Sequence, residues 1–244
     1  MYPHHTFQIP VMGIGFTLDT PIKVARYGIS SVISLVDDTL VEQVRQYYCR
    51  QYGEEYTAIT RDDEDYRARR ITAYLNLLDR IIARQFQELK ASAFELGTEI
   101  TRYFDLLPET ASLKKLYARM LKTDDPQARL AMQHELRAGL RVGRIDVNIM
   151  TKVDRTNFSR VDDSPLPPEY SDALSAFRGY ALSTLDSAIV LSAGINRRLY
   201  NYIAEFKDFY ADASGVIRKK IILKVSDYRR SEERRVGKEG RYRW

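Results

Sequence analysis

The sequence has a single cysteine and three histidines in 244 residues. It also lacks any apolar run near the roughly 18 residues of a membrane helix, and no cationic opening leads into an apolar core of the kind that marks a secretion signal. Each absence excludes something. One thiol cannot build a disulfide framework, and Cys49 sits in a helical pattern (Val41 to Cys49), where a small packed side chain in a reducing cytoplasm is the expected role. His4, His5 and His134 have no metal-ligand spacing to Cys, Asp or Glu, so no metal site is expected. With 44% hydrophobic residues there is ample material for a core, and a globular cytoplasmic chain is expected with no membrane partner.

A charge excess is missing too, once the last residues are set apart. The whole chain carries +5, but from Arg230 onward there are six Lys/Arg and three Glu, which leaves 32 basic and 30 acidic side chains in residues 1–229. A nearly neutral body does not suggest a nucleic-acid partner. The closing run Arg230-Ser-Glu-Glu-Arg-Arg-Val-Gly-Lys-Glu-Gly-Arg-Tyr-Arg-Trp244 resembles the translation of a common short-read sequencing adapter, R-S-E-E-R-R-V-G-K-E-C-R-S-R-W. Only Gly240 and Tyr242 depart from it, so 13 of 15 positions agree. Residues 230–244 are therefore expected to be non-native or poorly packed, and residues 1–229 to be the truncated native domain.

What is present is an alternation of β-branched runs and capped helical stretches. Segments 7–15 and 29–36 read as strands. Between them Asp19-Thr20-Pro21 supplies an N-cap oxygen and a first-turn proline, and Gly28 supplies a positive φ after the last turn. Asp37-Asp38 open a second helix that runs to about Tyr52, before Gly53. Residues 54–143 break the rhythm. Ile71, Tyr74, Leu75, Leu78, Ile81, Ile82 and Leu89 mark a long amphipathic helix, and three shorter helices follow at 98–107, 112–122 and 124–139. This span reads as a helical insertion beside a sheet. Strand 145–152, helix 167–182, strand 187–194, helix 196–209 and strand 219–226 resume the alternation.

Five β/α steps of about 28 residues, against roughly 31 in a complete eightfold barrel, predict an α/β fold. The expected architecture is an incomplete (β/α)8, TIM-type barrel with five parallel strands in sequential order and a large helical insertion. A doubly wound dinucleotide fold competes, because Gly13-x-Gly15 and Asp37 imitate its fingerprint. Against it, Leu18 stands where the third glycine belongs, and the helix starts too far beyond Gly15 to hold a phosphate there.

Side-chain parity points to chemistry. Ile145, Val147 and Ile149 share one strand face, which leaves Asp146, Asn148, Met150 and Lys152 on the other. In 219–226, Ile221, Leu223 and Val225 share a face opposite Lys224 and Ser226. If the apolar faces pack on helices, Lys152 and Lys224 turn inward near the C-terminal rim, where they call for an anionic ligand or a compensating carboxylate such as Asp146.

The stretch from Ile9-Pro-Val-Met-Gly-Ile-Gly15 through Tyr27-Gly-Ile-Ser-Ser-Val32 resembles the opening of FMN-dependent barrel oxidoreductases of the nitronate monooxygenase and glutamate synthase kind, over about 30 residues. That resemblance implies an FMN whose ring lies against Met12 and Gly13, with Gly15, Asn148, Ser192, Gly194 and Ser226 as further contacts. Lys152 or Lys224 would stabilise negative charge on the reduced ring. It also implies phosphate loops after the seventh and eighth strands, beyond the five steps read here. Two alternatives stay open: a cofactor-free lyase using Lys152 or Lys224 as a Schiff-base amine, and a non-catalytic module whose helical insertion docks a partner. The fifth strand is expected to be an open edge that lowers solubility.

Overall fold

The computed structural model describes residues 17–35, 37–150, 170–192 and 196–224, with single positions at 154, 158, 162, 164, 166 and 167. The strand expected at 7–15 and the tail 230–244 lie outside these residues. The described elements run α1 (Thr20–Val24), β1 (Ser31–Leu35), α2 (Asp38–Tyr52), α3 (Tyr66–Ala91), α4 (Glu99–Asp105), α5 (Ser112–Leu121), α6 (Pro126–Gly139), β2 (Ile145–Ile149), α7 (Asp172–Ala181), β3 (Ala188–Ser192), α8 (Arg197–Ile203) and β4 (Lys220–Lys224).

Several helix ends form as the sequence dictates. Asp37 accepts from Thr39 N at 2.8 Å at the start of α2, and Asp125 accepts from Gln127 N at 3.0 Å ahead of Pro126. Gly28 and Gly53 take φ of 80° and 66° as left-handed caps. Asp19 corrects one expectation. It precedes α1 but makes no capping bond, because its carboxylate is drawn instead to the Tyr48 hydroxyl at 2.9 Å and the Lys23 ammonium at 2.7 Å. The helix expected over 196–209 is also shorter, ending at Ile203 with a separate 3₁₀ turn at Lys207–Phe209.

The four strands form one parallel sheet in the order β1-β2-β3-β4. Among the described residues the sheet therefore has four strands, not five. Two of its pairings decide against the doubly wound alternative. Flavodoxin-like order separates the second and third strands by the first, and Rossmann order separates the third and fourth by the second and first. Here the segments expected as second and third pair directly, Ser31 against Ile145, as do those expected as third and fourth, Val147 against Ile189.

One sheet face carries the core. Ile33, Leu35, Ile145, Val147, Ile149, Ile189 and Leu191 pack with residues of α1, α2, α3, α7 and α8, and Ile221 and Leu223 join from the edge strand. The long α3, about 39 Å at 1.5 Å per residue, lies between α2 and α7. It contributes Ile71, Tyr74, Leu75, Leu78, Ile81 and Ile82 to this core. Its last turn supplies Leu89 to a second core, formed with Ile100, Tyr103, Phe104, Leu107, Tyr117, Met120, Leu136 and Leu140. Within the span 54–143, then, α3 belongs by packing to the helix layer on the sheet, while α4 to α6 close around their own apolar centre. No helix among the described residues is long and apolar enough to cross a membrane.

The contact between α3 and α7 is close enough to require a glycine. A Cβ on Gly179 would lie 2.6 Å from Ile71 Cβ and 2.9 Å from Ala68 O, and Thr72 Oγ1 donates to Gly179 O across the same gap at 2.9 Å. Gly179→Ala is expected to force the helices apart and destabilise by about 1–3 kcal/mol, the usual cost of overpacking. A shift of the urea midpoint at unchanged slope would report it. No loss of stability would show that the two helices slide freely.

Candidate functional site

Parallel strands end together, so the C-terminal ends of β1, β2 and β3 lie at one rim. Below that rim, on the sheet face turned away from the helices, the registers align successive layers: Val32 with Asp146, then Ser34 with Asn148 and Val190, then Ser192 with Lys224. Asp146 and Asn148 stand on the face that parity assigns them, and both are fully buried.

Asp146 Oδ1 accepts from Ala188 N at 2.9 Å, and its Oδ2 lies 3.8 Å from Arg144 Nη2. The carboxylate expected to compensate an inward lysine is thus engaged with the backbone of β3 and with an arginine at the strand's start. Asn148 differs. Its Nδ2 donates to Ser34 Oγ at 3.4 Å, whereas its Oδ1 is buried with no hydrogen-bond partner. Ser34 is itself held, its N–H donating to Thr17 Oγ1 at 3.0 Å. That bond has a topological meaning. Ser31 N bonds Arg144 O and Leu35 O receives Met150 N, so odd residues of β1 face β2 and Ser34 faces the opposite edge. Thr17 therefore stands beside the flank of β1 away from β2.

Lys224 corrects the second expectation. It keeps the predicted face but is exposed, as is Ile222 at 43%. β4 is the last described strand of the sheet, and no described strand lies beyond it beside the lysine. Ser192 ends β3 opposite Lys224. Lys152, Met12, Gly13, Gly15, Gly194 and Ser226 lie outside the described residues.

Three polar groups at the strand ends were not singled out by motif or parity. Asp38, the first residue of α2, accepts from Arg67 Nε and Arg70 Nη1, both at 2.8 Å. Arg67 also pairs with Asp172 at 2.7 Å and donates to Tyr170 O at 2.9 Å. Burial disfavours the Arg67 charge, but Asp38 and Asp172 outweigh it and hold its pKa above the ordinary arginine value. This two-plus-two cluster ties the starts of α2, α3 and α7 together. Asp154 Oδ1 accepts from Ala173 N at 3.1 Å, and its Oδ2 lies 3.7 Å from Arg198 Nη1, which links the segments after β2 and β3.

The third group is Lys219, at the opposite end of the sheet. It is 1% exposed, and its Nζ donates to the carbonyls of Tyr180, Ala181 and Ser183 at 2.8, 2.9 and 2.8 Å. Burial pushes its ammonium down to about 8. A perturbed lysine often marks a catalytic site, but this one caps the C-terminal end of α7, where a cation meets unpaired carbonyls and the negative end of the helix dipole. The sequence held the clue, since odd parity puts Lys219 on the helix-facing side with Ile221 and Leu223.

Cys49 is buried, and burial pushes its thiol up, as a packed side chain requires. No group of three or more His, Cys, Asp or Glu among the described residues could hold a metal ion. A shallow depression of about 410 Å³ lined by Lys207, Asp208, Tyr210, Asp212 and Arg218 lies beside the start of β4, where Lys219 N donates to Asp208 O at 2.9 Å. Compared with known proteins, the chain matches no family model, no curated protein and no solved structure.

Proposed function

We propose that this chain contributes the first β/α steps of an FMN-dependent barrel oxidoreductase acting on a small molecule. The observation that carries the reading is the buried amide of Asn148, held by Ser34 on the face turned from the helices, with its carbonyl oxygen unpartnered. Barrel enzymes place their ligands on such a face and at the C-terminal ends of the strands. The sequential parallel order, the helix-packed face and the Thr17 contact on the side of β1 away from β2 all agree with that architecture.

A buried amide on the face turned from the helices suits the hydrogen-bonding edge of a flat heteroaromatic ring. Asn148 would hold that ring, with Ser192 and Lys224 above it at the rim. Bound there, FMN would supply the hydride chemistry. Of the chain's own groups, Ser34 bonds the Asn148 amide, and Asp154 joins the starts of α7 and α8 through Ala173 N and Arg198. The Schiff-base alternative gains nothing from Lys224, since an exposed amine lacks the burial that activates such lysines.

Titrating FMN with the purified, folded chain tests the reading. Quenching of flavin fluorescence that saturates and is lost in Asn148→Leu is the expected result. Unchanged flavin fluorescence in the presence of folded chain at millimolar concentration would sink it.

A further inference from the structure

We infer that the outer edge of β4 is a docking site for an extended segment of another polypeptide, which joins the sheet as a strand and carries an acidic residue two positions to either side of an apolar one. The inference does not depend on the flavin reading, because it concerns the flank of β4 away from β3 and not the face on which Asn148 stands.

Hydrogen-bond parity defines that flank. Lys220 N donates to Ser187 O at 3.1 Å, so the even residues of β4 turn their backbone groups to β3. Lys219 N turns the other way and donates to Asp208 O at 2.9 Å, which closes only the start of the edge. Beyond it, the outward N–H and C=O groups of Ile221 and Leu223 meet no backbone partner among the described residues. Such an edge is a template for a further strand. The side chains decide which strand. Lys220, Ile222 and Lys224 are exposed on one face, and Ile221 and Leu223 are half-buried on the other. Tyr210 and Val216, which line the depression at the start of β4, add exposed apolar surface. The acids nearby are already engaged: Asp208 faces Arg218 at 3.5 Å, and Asp212 Oδ1 accepts from the N–H groups of Ser214 and Val216 within its own turn. The exposed Lys207, Lys220 and Lys224 form no ion pair among the described residues. A strand laid beside β4 sets its side chains opposite those of β4 on both faces. Its complement therefore reads acidic, three apolar, acidic, in either chain direction. A second copy does not fit, because antiparallel pairing about Ile222 would set Lys220 against Lys224.

Two fluorescein-labelled peptides, Gly-Glu-Val-Ile-Val-Glu-Gly and Gly-Lys-Val-Ile-Val-Lys-Gly, are titrated with the unaltered chain and followed by anisotropy. The acidic peptide is expected to saturate at least about tenfold more tightly, since two opposite-charge pairs become like-charge pairs in the other, and added salt should narrow the gap. Of two acidic peptides N-methylated at alternate residues, one should keep its affinity and the other lose it, because an added strand pairs through one edge only. Lys220→Glu, an exposed change, should bring the acidic and basic peptides within about twofold of each other. Equal binding of the two peptides to the unaltered chain, binding of neither, or the same response to both methylation patterns would overturn the inference. So would a dimer in sedimentation velocity that Ile222→Lys dissolves, which would give the edge to a second copy. None of these outcomes bears on the flavin titration.

Discussion

Arg67→Met is expected to lower the unfolding free energy by about 3–5 kcal/mol, the range found when one partner of a buried ion pair is removed. The Arg67 side chain is 10% exposed and that of Asp38 is 7% exposed, so water does little to replace the lost charge. Removing it leaves Asp38 with Arg70 alone and Asp172 without the Arg67 cation, and it takes a donor from Tyr170 O. The same guanidinium joins the starts of α2, α3 and α7, so the damage should spread to all three helix ends. Urea denaturation gives the stability, and hydrogen exchange at the first turns of α2 and α7 gives the location. A variant that loses less than about 1 kcal/mol, the ordinary worth of an exposed pair, would mean that water reaches the cluster. Arg67→Lys should recover only part of the loss, because a single ammonium nitrogen cannot span the two carboxylates and the carbonyl that Nε, Nη1 and Nη2 of the guanidinium reach separately.

Lys219→Met is expected to cost about 2–3 kcal/mol at neutral pH, since three carbonyls at the end of α7 lose their donor in a buried setting. The pH dependence carries its own signature. The folded-state pKa, about 8, lies below the value of about 10.4 expected for an unfolded lysine. Between these values the unfolded chain binds more protons than the folded one, so stability contributed by this group rises with pH across the window. This titration-linked part is fully present above about 10.4 and lost as pH falls through about 8, where the hydrogen bonds of the ammonium to the three carbonyls account for the remaining cost of the substitution. The difference in stability between wild type and Lys219→Met should therefore grow from pH 8 to pH 10. A difference that stays flat, or shrinks, would show that the amine keeps an ordinary affinity for protons in the folded chain.

Legibility followed the range of the interactions. The ends of α2 and α6 could be read because Asp37, Gly53, Asp125 and Pro126 act on backbone groups within a few residues of themselves. Strand faces could be read because alternation has a fixed period, and the apolar faces of β2 and β4 do meet the helices. Asp19 shows where local rules stop. Its neighbours in sequence predict a cap, but Tyr48, 29 positions away, competes for the same oxygen. Asp38, Arg67 and Arg70 carried no motif, because a charge cluster across three helices exists only once those helices pack.

Lys224 and Lys219 divide the lesson between them. Parity placed each on the correct face, yet exposure could not be deduced, since it depends on what lies beside the strand and not on its own period. An internal lysine became a helix cap, and the one assigned to the interior proved open to solvent. By itself, then, the sequence determined the alternating elements, the helix ends set by Asp, Pro and Gly, and the inner and outer faces of the strands, all of which arise from contacts within a few residues. Only the tertiary structure decided the order of the strands, the partners of the buried charges and the unpaired carbonyl of Asn148. These depend on groups brought together from distant parts of the chain, where burial makes each hydrogen bond made or missed matter.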